Sequence, residues 1–172
     1  MKFSNIQLGD NVEIDPSTSF NNVVISDHVK IAKRCSIFGG PDHLLEIGSH
    51  TYVGMNTLIN GFAAQVKIGS NVSIAQNVNI MADSGPNASA KMQRLFPLEK
   101  GEIHIGDHCW IGASAVIMPS VTLGDYCIVA ANSYVNGSFP KYSIIGGSPA
   151  KLIRTFTSEE INKLEANNDK IS

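Results

Sequence analysis

The amino-acid sequence predicts an all-β protein, a parallel β-helix of about six triangular coils with one long inserted loop and a short C-terminal helix. Three observations predict this fold. An aliphatic residue recurs every six positions, the breaks in that period follow a common rule, and the composition suits strands and turns. Charged residues make up only 16% of the 172 residues, while Gly, Asn, Ser, Val and Ile are abundant.

The six-residue period fits short strands separated by turns. Neither an α-helix nor the alternation of one long strand repeats every six residues. Each short strand sends its aliphatic residue inward, and a small or β-branched residue four positions later lets the chain bend at a corner. Three strands complete a coil of about 18 residues, and stacked coils share one core. The aliphatic positions are Leu8, Ile14, Phe20, Ile25, Ile31, Ile37, Ile47, Val53, Ile59, Ile68, Ile74, Ile80, Ile105, Ile111, Ile117, Leu123, Val129 and Val135.

The interruptions of the period are the strongest argument for coils of three strands. They follow Phe20, Ile37, Ile59 and Ile80, in each case after a third hexapeptide. Every insertion therefore falls at the same corner of the prism. The longest insertion covers residues 82–103, a length typical of a functional loop.

The end of the repeat divides the chain into two parts. We expect residues 1–138 to form the β-helix domain and residues 139–172 to form a C-terminal extension. Within the extension, Thr157 and Glu160 have the spacing of a helix capping box. We expect this short helix to pack on the last coil and to protect its edge.

Charge and composition exclude several kinds of partner. A net charge of −2 with scattered Lys and Arg gives no reason to expect nucleic acid. No apolar run is long enough for a membrane span, and the N-terminal residues lack a signal sequence, so we expect a cytoplasmic protein that does not bind membranes. Cys35, Cys109 and Cys127 all occupy the small inward position, which predicts buried, reduced thiols.

The segment from Gly106 to Arg154 carries a family resemblance. It reads GDHCWIGASAVIMPSVTLGDYCIVAANSYVNGSFPKYSIIGGSPAKLIR. The W-I-G-A segment, the P-x-V-T-x-G-D turn and the G-x-P-A-K-x-I-R end resemble the hexapeptide-repeat acyltransferases, most closely the sugar O-acetyltransferases of the maltose and galactoside acetyltransferase type. The resemblance implies a left-handed parallel β-helix, a homotrimer with active sites between subunits, and acetyl-CoA bound along the groove between two of them.

The resemblance also implies which residues face acetyl-CoA. At two of these positions the sequence departs from the family, which commonly has Thr-Lys where this chain has Asn136-Gly137. A cation beside the cofactor is then missing, and Lys151 or Arg154 would have to meet its phosphates. The cofactor-binding candidates are Trp110, Ala113, Ala131, Asn136, Gly137, Lys151 and Arg154.

The catalytic histidine that the family places at the start of the long loop is absent, because alignment puts Gly85 at its position. Three interpretations compete. Asp83 serves as the base, or the acceptor is an amine that needs less help than an alcohol, or the protein binds ligand without catalysis. A base supplied from elsewhere, such as His104 or His43, is a further alternative. Turn formation alone also accounts for Asp83.

His28, His50 and His108 share one turn position and should form an external column with Asn11, Asn71 and Tyr126. The γ-class carbonic anhydrases use this fold with metal-binding histidines, but they carry a His-x4-His pair. Here His104 and His108 are one residue closer, so we expect no metal.

The sequence therefore predicts an acetyl-CoA-dependent acyltransferase whose acceptor is a hydroxyl or amine of a sugar or nucleotide-sugar. The long loop would close over that acceptor, and no cofactor besides CoA is implied. The alternative is a non-catalytic hexapeptide-repeat scaffold or ligand-binding protein that lacks the usual base.

Overall fold

The computed structural model, which describes residues 5–166, is the left-handed parallel β-helix that the sequence predicts. Short strands alternate among three parallel sheets, which form the faces A, B and C of a triangular prism. Each coil contributes one strand to each face, in the order A, B, C.

The strands are numbered in chain order and fall on the faces as follows. Face A contains β1 (Ile6–Leu8), β4 (Val23–Ile25), β7 (Leu45–Ile47), β10 (Val66–Ile68), β15 (Ile103–Ile105) and β18 (Thr122–Leu123). Face B contains β2 (Glu13–Ile14), β5 (Lys30–Ile31), β8 (Tyr52–Val53), β11 (Ser73–Ile74), β16 (Trp110–Ile111), β19 (Ile128–Val129), β21 (Ser143–Gly147) and β22 (Ala150–Thr155). Face C contains β3 (Ser19–Asn21), β6 (Ser36–Gly39), β9 (Leu58–Gly61), β12 (Asn79–Met81), β17 (Val116–Ile117) and β20 (Tyr134–Val135).

The aliphatic ladder forms the core. Register pairs such as Ile74 with Ile111 and Ile80 with Ile117 stack like residues along the prism axis, and all four are fully buried. Burying one such side chain is worth about 1.5–3 kcal/mol, so successive coils stabilise one another. The three cysteines are also buried and unpaired, as predicted.

The external column at the A–B corner is confirmed. His28, His50 and His108 are exposed and have φ angles of 57–59°. The rings of His28 and His50 stack with centroids 4.7 Å apart, and those of His108 and Tyr126 are 4.8 Å apart. Positive φ at this corner explains why Asn and His recur there, since both residue types tolerate that conformation.

The insertions all leave the prism at the C–A corner, as predicted. They connect β6 to β7, β9 to β10 and β12 to β15. The long loop contains a two-stranded antiparallel hairpin, β13 (Asp83–Ser84) with β14 (Glu99–Lys100), and one short helix, α1 (Ala90–Gln93). Its apolar side chains Met92, Leu95, Phe96 and Leu98 are exposed.

The C-terminal segment contains the predicted helix, α2 (Ser158–Ala166), with its capping box formed. Glu160 N–H donates to Thr157 Oγ1 at 3.2 Å, and Thr157 N–H donates to Glu160 Oε2 at 2.7 Å. The helix buries none of its residues, which differs from our expectation. Strand β22 covers the edge of face B instead, through antiparallel pairing with β21.

Candidate active site

Asp83 lies at the foot of the long loop. It begins strand β13, stands opposite Lys100 in the hairpin register, and is half-buried. Gly101 N–H donates to the carbonyl of Ala82 at 3.0 Å, so the two ends of the loop are tied together beside Asp83. The hairpin thus holds a carboxylate at a defined place on the C–A corner.

The side chain of Asn60 links Asp83 to the preceding coil. Its Nδ2 donates to Asp83 Oδ2 at 3.3 Å, and its Oδ1 accepts a hydrogen bond from Phe62 N–H at 2.9 Å. One amide therefore orients the carboxylate and fixes the insertion after β9. Sequence periodicity gave no signal for this contact, because Asn60 belongs to the irregular corner.

Gly85, which the sequence analysis aligned with the family histidine, follows strand β13. A Cβ atom built on Gly85 would lie 3.0 Å from Leu98 Cα and 3.1 Å from Leu98 Cδ1. Leu98 thus occupies the space beside Gly85, and a larger residue there would have to displace it.

The two other histidines considered as bases lie on different elements from Asp83. His104 is exposed on face A, between Lys67 and Thr122 in the register. His43 Nε2 is buried without a hydrogen-bond partner, and a Cβ built on Gly40 would lie 2.8 Å from that atom. Neither histidine forms a hydrogen bond with Asp83 among residues 5–166.

Face B carries the exposed tryptophan. Trp110 is 57% exposed and points outward from β16. Its register neighbours on the two sides are Ser73 and Ile128. Ser73 is exposed, and while its backbone N–H donates to the carbonyl of Cys109 at 2.9 Å, its hydroxyl has no hydrogen-bond partner in the described part of the chain, so a hydroxyl donor is available in the register position beside Trp110. The sequence analysis did not single out Ser73. The six-residue period nevertheless places Ser73 directly before the inward Ile74, and so outward, just as Trp110 precedes the inward Ile111.

Ala113 and Ala131 stack at the B–C corner in adjacent coils. Asn132 N–H donates to the carbonyl of Ala113 at 2.9 Å, and a Cβ on Gly112 would lie 2.5 Å from Ala131 N. A side chain is therefore excluded at Gly112, and the short side chains of Ala113 and Ala131 cover little of this corner.

Asn136 and Gly137 follow β20 at the C–A corner, and both are exposed. A Cβ atom on Gly137 would meet nothing within 4 Å. There is therefore room for a side chain at Gly137, and steric exclusion does not explain why the lysine common in the family is absent there.

The two candidate cations on β22 differ. Arg154 forms two hydrogen bonds with Glu160, at 2.8 and 2.9 Å, which also raise the pKa of the guanidinium. Lys151 is exposed and has no ion pair with any residue between 5 and 166. Lys151 is thus the cation that is free to meet a phosphate.

The candidates of one chain do not converge. Asp83, Asn136 and Gly137 lie on the C–A corner, whereas Trp110 lies on face B. In a triangular prism, the corner between two faces lies opposite the third face, so the hydrophobic core separates these groups. One chain therefore carries its candidate residues in two separate groups, the two candidate half-sites.

Two features bear on other classes of site. In the described part of the chain, no three His, Cys, Asp or Glu side chains are grouped so that they could hold a metal ion. Neither helix between residues 5 and 166 has the length and hydropathy needed to cross a bilayer.

The stacked hexapeptide coils define the class of this protein, and comparison with known proteins agrees. Residues 102–137 match the family model described as bacterial transferase hexapeptide (six repeats). The resemblance to the hexapeptide-repeat acyltransferases is confirmed. Galactoside O-acetyltransferase from Escherichia coli is 31% identical over 117 residues, which cover 67% of this chain and 56% of that protein. Three curated relatives that are 31% to 35% identical to this chain are spanned by it over 56% to 64% of their length.

Solved structures share the fold over most of the chain. The N-acyltransferase AntD from Bacillus cereus, in complex with dTDP and 3-hydroxybutyryl-CoA, is 25% identical with a TM-score of 0.77, covering 94% of this chain and 88% of that one. A galactoside acetyltransferase in complex with coenzyme A is 26% identical with a TM-score of 0.67, covering 92% and 68% of the two chains.

Proposed function

We propose that this protein transfers an acetyl group from acetyl-CoA to an amino group on a sugar or nucleotide-sugar. The observation that carries the proposal is the Asp83 carboxylate, held by Asn60 at the corner where the family histidine is replaced by Gly85. An amine is a stronger nucleophile than an alcohol and needs less basic assistance, and a carboxylate attracts an ammonium group. The arrangement therefore favours N-acetylation over O-acetylation.

The donor would lie along face B and the B–C corner. We assign the thioester to the outward surface of Trp110 and the pantetheine arm to the backbone at Ala113 and Ala131. The phosphates would reach the end of face B, where Lys151 is unpaired. The other wall of the groove would come from Asn136 and Gly137 of a second copy.

The reaction needs three proton transfers. The acceptor ammonium first loses a proton to solvent, and its free amine attacks the thioester carbonyl. The nitrogen of the tetrahedral intermediate is strongly acidic, so Asp83 can take its second proton. Ser73 Oγ–H, beside Trp110, is our candidate donor to the oxyanion. Collapse forms the amide and expels the CoA thiolate, which is then protonated.

The two half-sites require a second copy of the chain. Because Asp83 and Trp110 lie on opposite sides of one prism, we propose that the C–A corner of one subunit packs beside face B of the next. A homotrimer closes this head-to-tail contact with three equivalent sites. The buried thiols of Cys35, Cys109 and Cys127 fit a reducing, cytoplasmic location.

A titration of acetyl-CoA into the purified protein tests the proposal first. We expect one saturable site per chain at micromolar concentration, followed by acetylation of amino sugars or their nucleotide derivatives in preference to the hydroxy analogues. Absence of binding at millimolar acetyl-CoA, with the oligomer intact, would favour the non-catalytic scaffold.

A further inference from the structure

A cleft lies on face C near the C–A corner, in the coils before Asp83. It has a volume of about 300 Å³ and is lined by uncharged residues that include Asn21, Asn22, Ile37, Phe38, Gly39 and Phe62. Nothing in the assignment of donor and base uses this cleft.

Two aromatic side chains give the cleft its chemistry. Phe62 is 60% exposed, and Phe38 is half-buried on β6. Their rings offer stacking surfaces, while none of the described residues that line the cleft is charged. An uncharged planar ring suits this lining better than a phosphate or a carboxylate.

The cleft is in register with the proposed base. Phe38 is the direct register partner of Asn60, one strand spacing of about 4.8 Å away. Asn60 accepts from Phe62 N–H and donates to Asp83, so a single side chain connects the aromatic cleft with the carboxylate. The centre of the cleft is about two coils, or ~10 Å, from Asp83, so an acceptor that reaches both must extend over about that distance.

We propose that this cleft is an acceptor subsite that holds an uncharged planar ring joined to the acceptor sugar, stacked on Phe62. The inference rests on the proposed function only for the orientation of the acceptor, whose amino group would lie at Asp83. The ring has two chemical sources, a nucleobase or a ring linked directly to the sugar, and both stack in the same way.

Ring binding is measured directly, without acetyl-CoA. The probes are thymidine and 4-nitrophenyl glucoside, titrated separately and in competition, by calorimetry and saturation-transfer NMR. We expect saturable binding of at least one probe, weakened about 5- to 100-fold by Phe62→Ala and less by Phe62→Leu, which keeps apolar volume but lacks the ring. Thymidine binding would identify a nucleobase, and glucoside binding a directly linked ring.

Leu164→Ala is the control, because Leu164 is an apolar side chain, 38% exposed on helix α2 and outside the cleft. It should leave ring binding unchanged. The inference is overturned if neither probe binds, or if Phe62→Ala binds as well as the wild type. Acetyl-CoA affinity, measured on the same samples, tests the proposed function separately, so loss of one result leaves the other interpretable.

Discussion

Arg154 and Glu160 are joined by two hydrogen bonds that tie strand β22 to the first turn of helix α2, at 2.8 and 2.9 Å. The hydrogen bonds from Arg154, together with the N–H of Thr157, lower the pKa of Glu160 to about 2. The carboxylate of Glu160 also neutralises the positive charge of Arg154. This contact therefore affects the stability of the C-terminal segment, and it leaves Lys151 rather than Arg154 as the cation proposed to bind phosphate.

We expect Glu160→Gln to lower the melting temperature near neutral pH, with an effect that shrinks in acid. The folded-state pKa of Glu160 is depressed from 4.5 to about 2. The stabilisation is therefore fully present above the unfolded pKa of about 4.5, and is lost as the pH falls through about 2. Melting curves between about pH 7 and about pH 3 measure it. Glu159→Gln, which removes only an exposed pair with Lys163, is the control. A Tm difference independent of pH would contradict the prediction.

Lys151→Ala should weaken acetyl-CoA binding about 2- to 10-fold, because it removes an exposed but uncompensated cation. Adding Gly137→Lys should recover affinity, since a side chain at Gly137 has open space. Calorimetry at low and high salt measures both effects. Lys67→Ala on face A, where Lys67 pairs with Glu46, is the matched control. If Lys67→Ala weakens binding as much as Lys151→Ala, the phosphates do not lie at β22.

Asp83→Asn should reduce turnover about 10²- to 10⁴-fold while leaving acetyl-CoA affinity unchanged. The amide keeps the shape of the carboxylate and can still accept from Asn60, but it cannot take a proton. Steady-state rates with a fixed acceptor measure the effect. Asp42→Asn, an exposed carboxylate in the insertion before β7, should be close to wild type. Near-normal turnover of Asp83→Asn would exclude Asp83 as the base.

Ser73→Ala should lower kcat by about 10²-fold with little change in acetyl-CoA affinity, because an oxyanion donor acts mainly in the transition state. Rapid-quench or steady-state measurements at saturating donor separate the two effects. Ser36→Ala, an outward serine on face C, is the control. Equal loss of affinity and rate in Ser73→Ala would instead indicate a role in donor binding.

The fold was predictable because the core residues obey a strict period. Ile74 and Ile111 both point inward because both occupy the aliphatic position of the six-residue period. The breaks in that period locate every insertion. The conformation within the insertions was not predictable. The β13–β14 hairpin and the Asn60–Asp83 contact depend on single side chains that obey no period.

The candidate site was only partly predictable for a related reason. The period places Trp110 outward on face B and Asp83 at a corner, but motif alignment treats both as members of one site. Their separation across the prism becomes visible only when the coils are folded. Likewise, motif alignment treats Lys151 and Arg154 alike, whereas the structure pairs Arg154 with Glu160.

The separation of Asp83 from Trp110 leads to the last prediction, complementation between inactive variants. Asp83→Asn damages the corner half-site, and Trp110→Ala damages the half-site on face B. Each variant alone should retain little activity. In mixed trimers, a site that joins the intact corner of one subunit with the intact face of another should regain activity.

Random mixing in equal amounts makes about one site in four intact, so co-expression or co-refolding should restore roughly a quarter of wild-type activity. The double variant Asp83→Asn with Trp110→Ala, mixed with either single variant, provides the control, because no interface then combines two intact half-sites. Size-exclusion chromatography with light scattering verifies that the mixed species are trimers. Failure to recover activity, in trimers shown to contain both chains, would mean that Asp83 and Trp110 do not act in one shared site. Recovery would require a site built from two chains, because neither variant chain alone holds both residues.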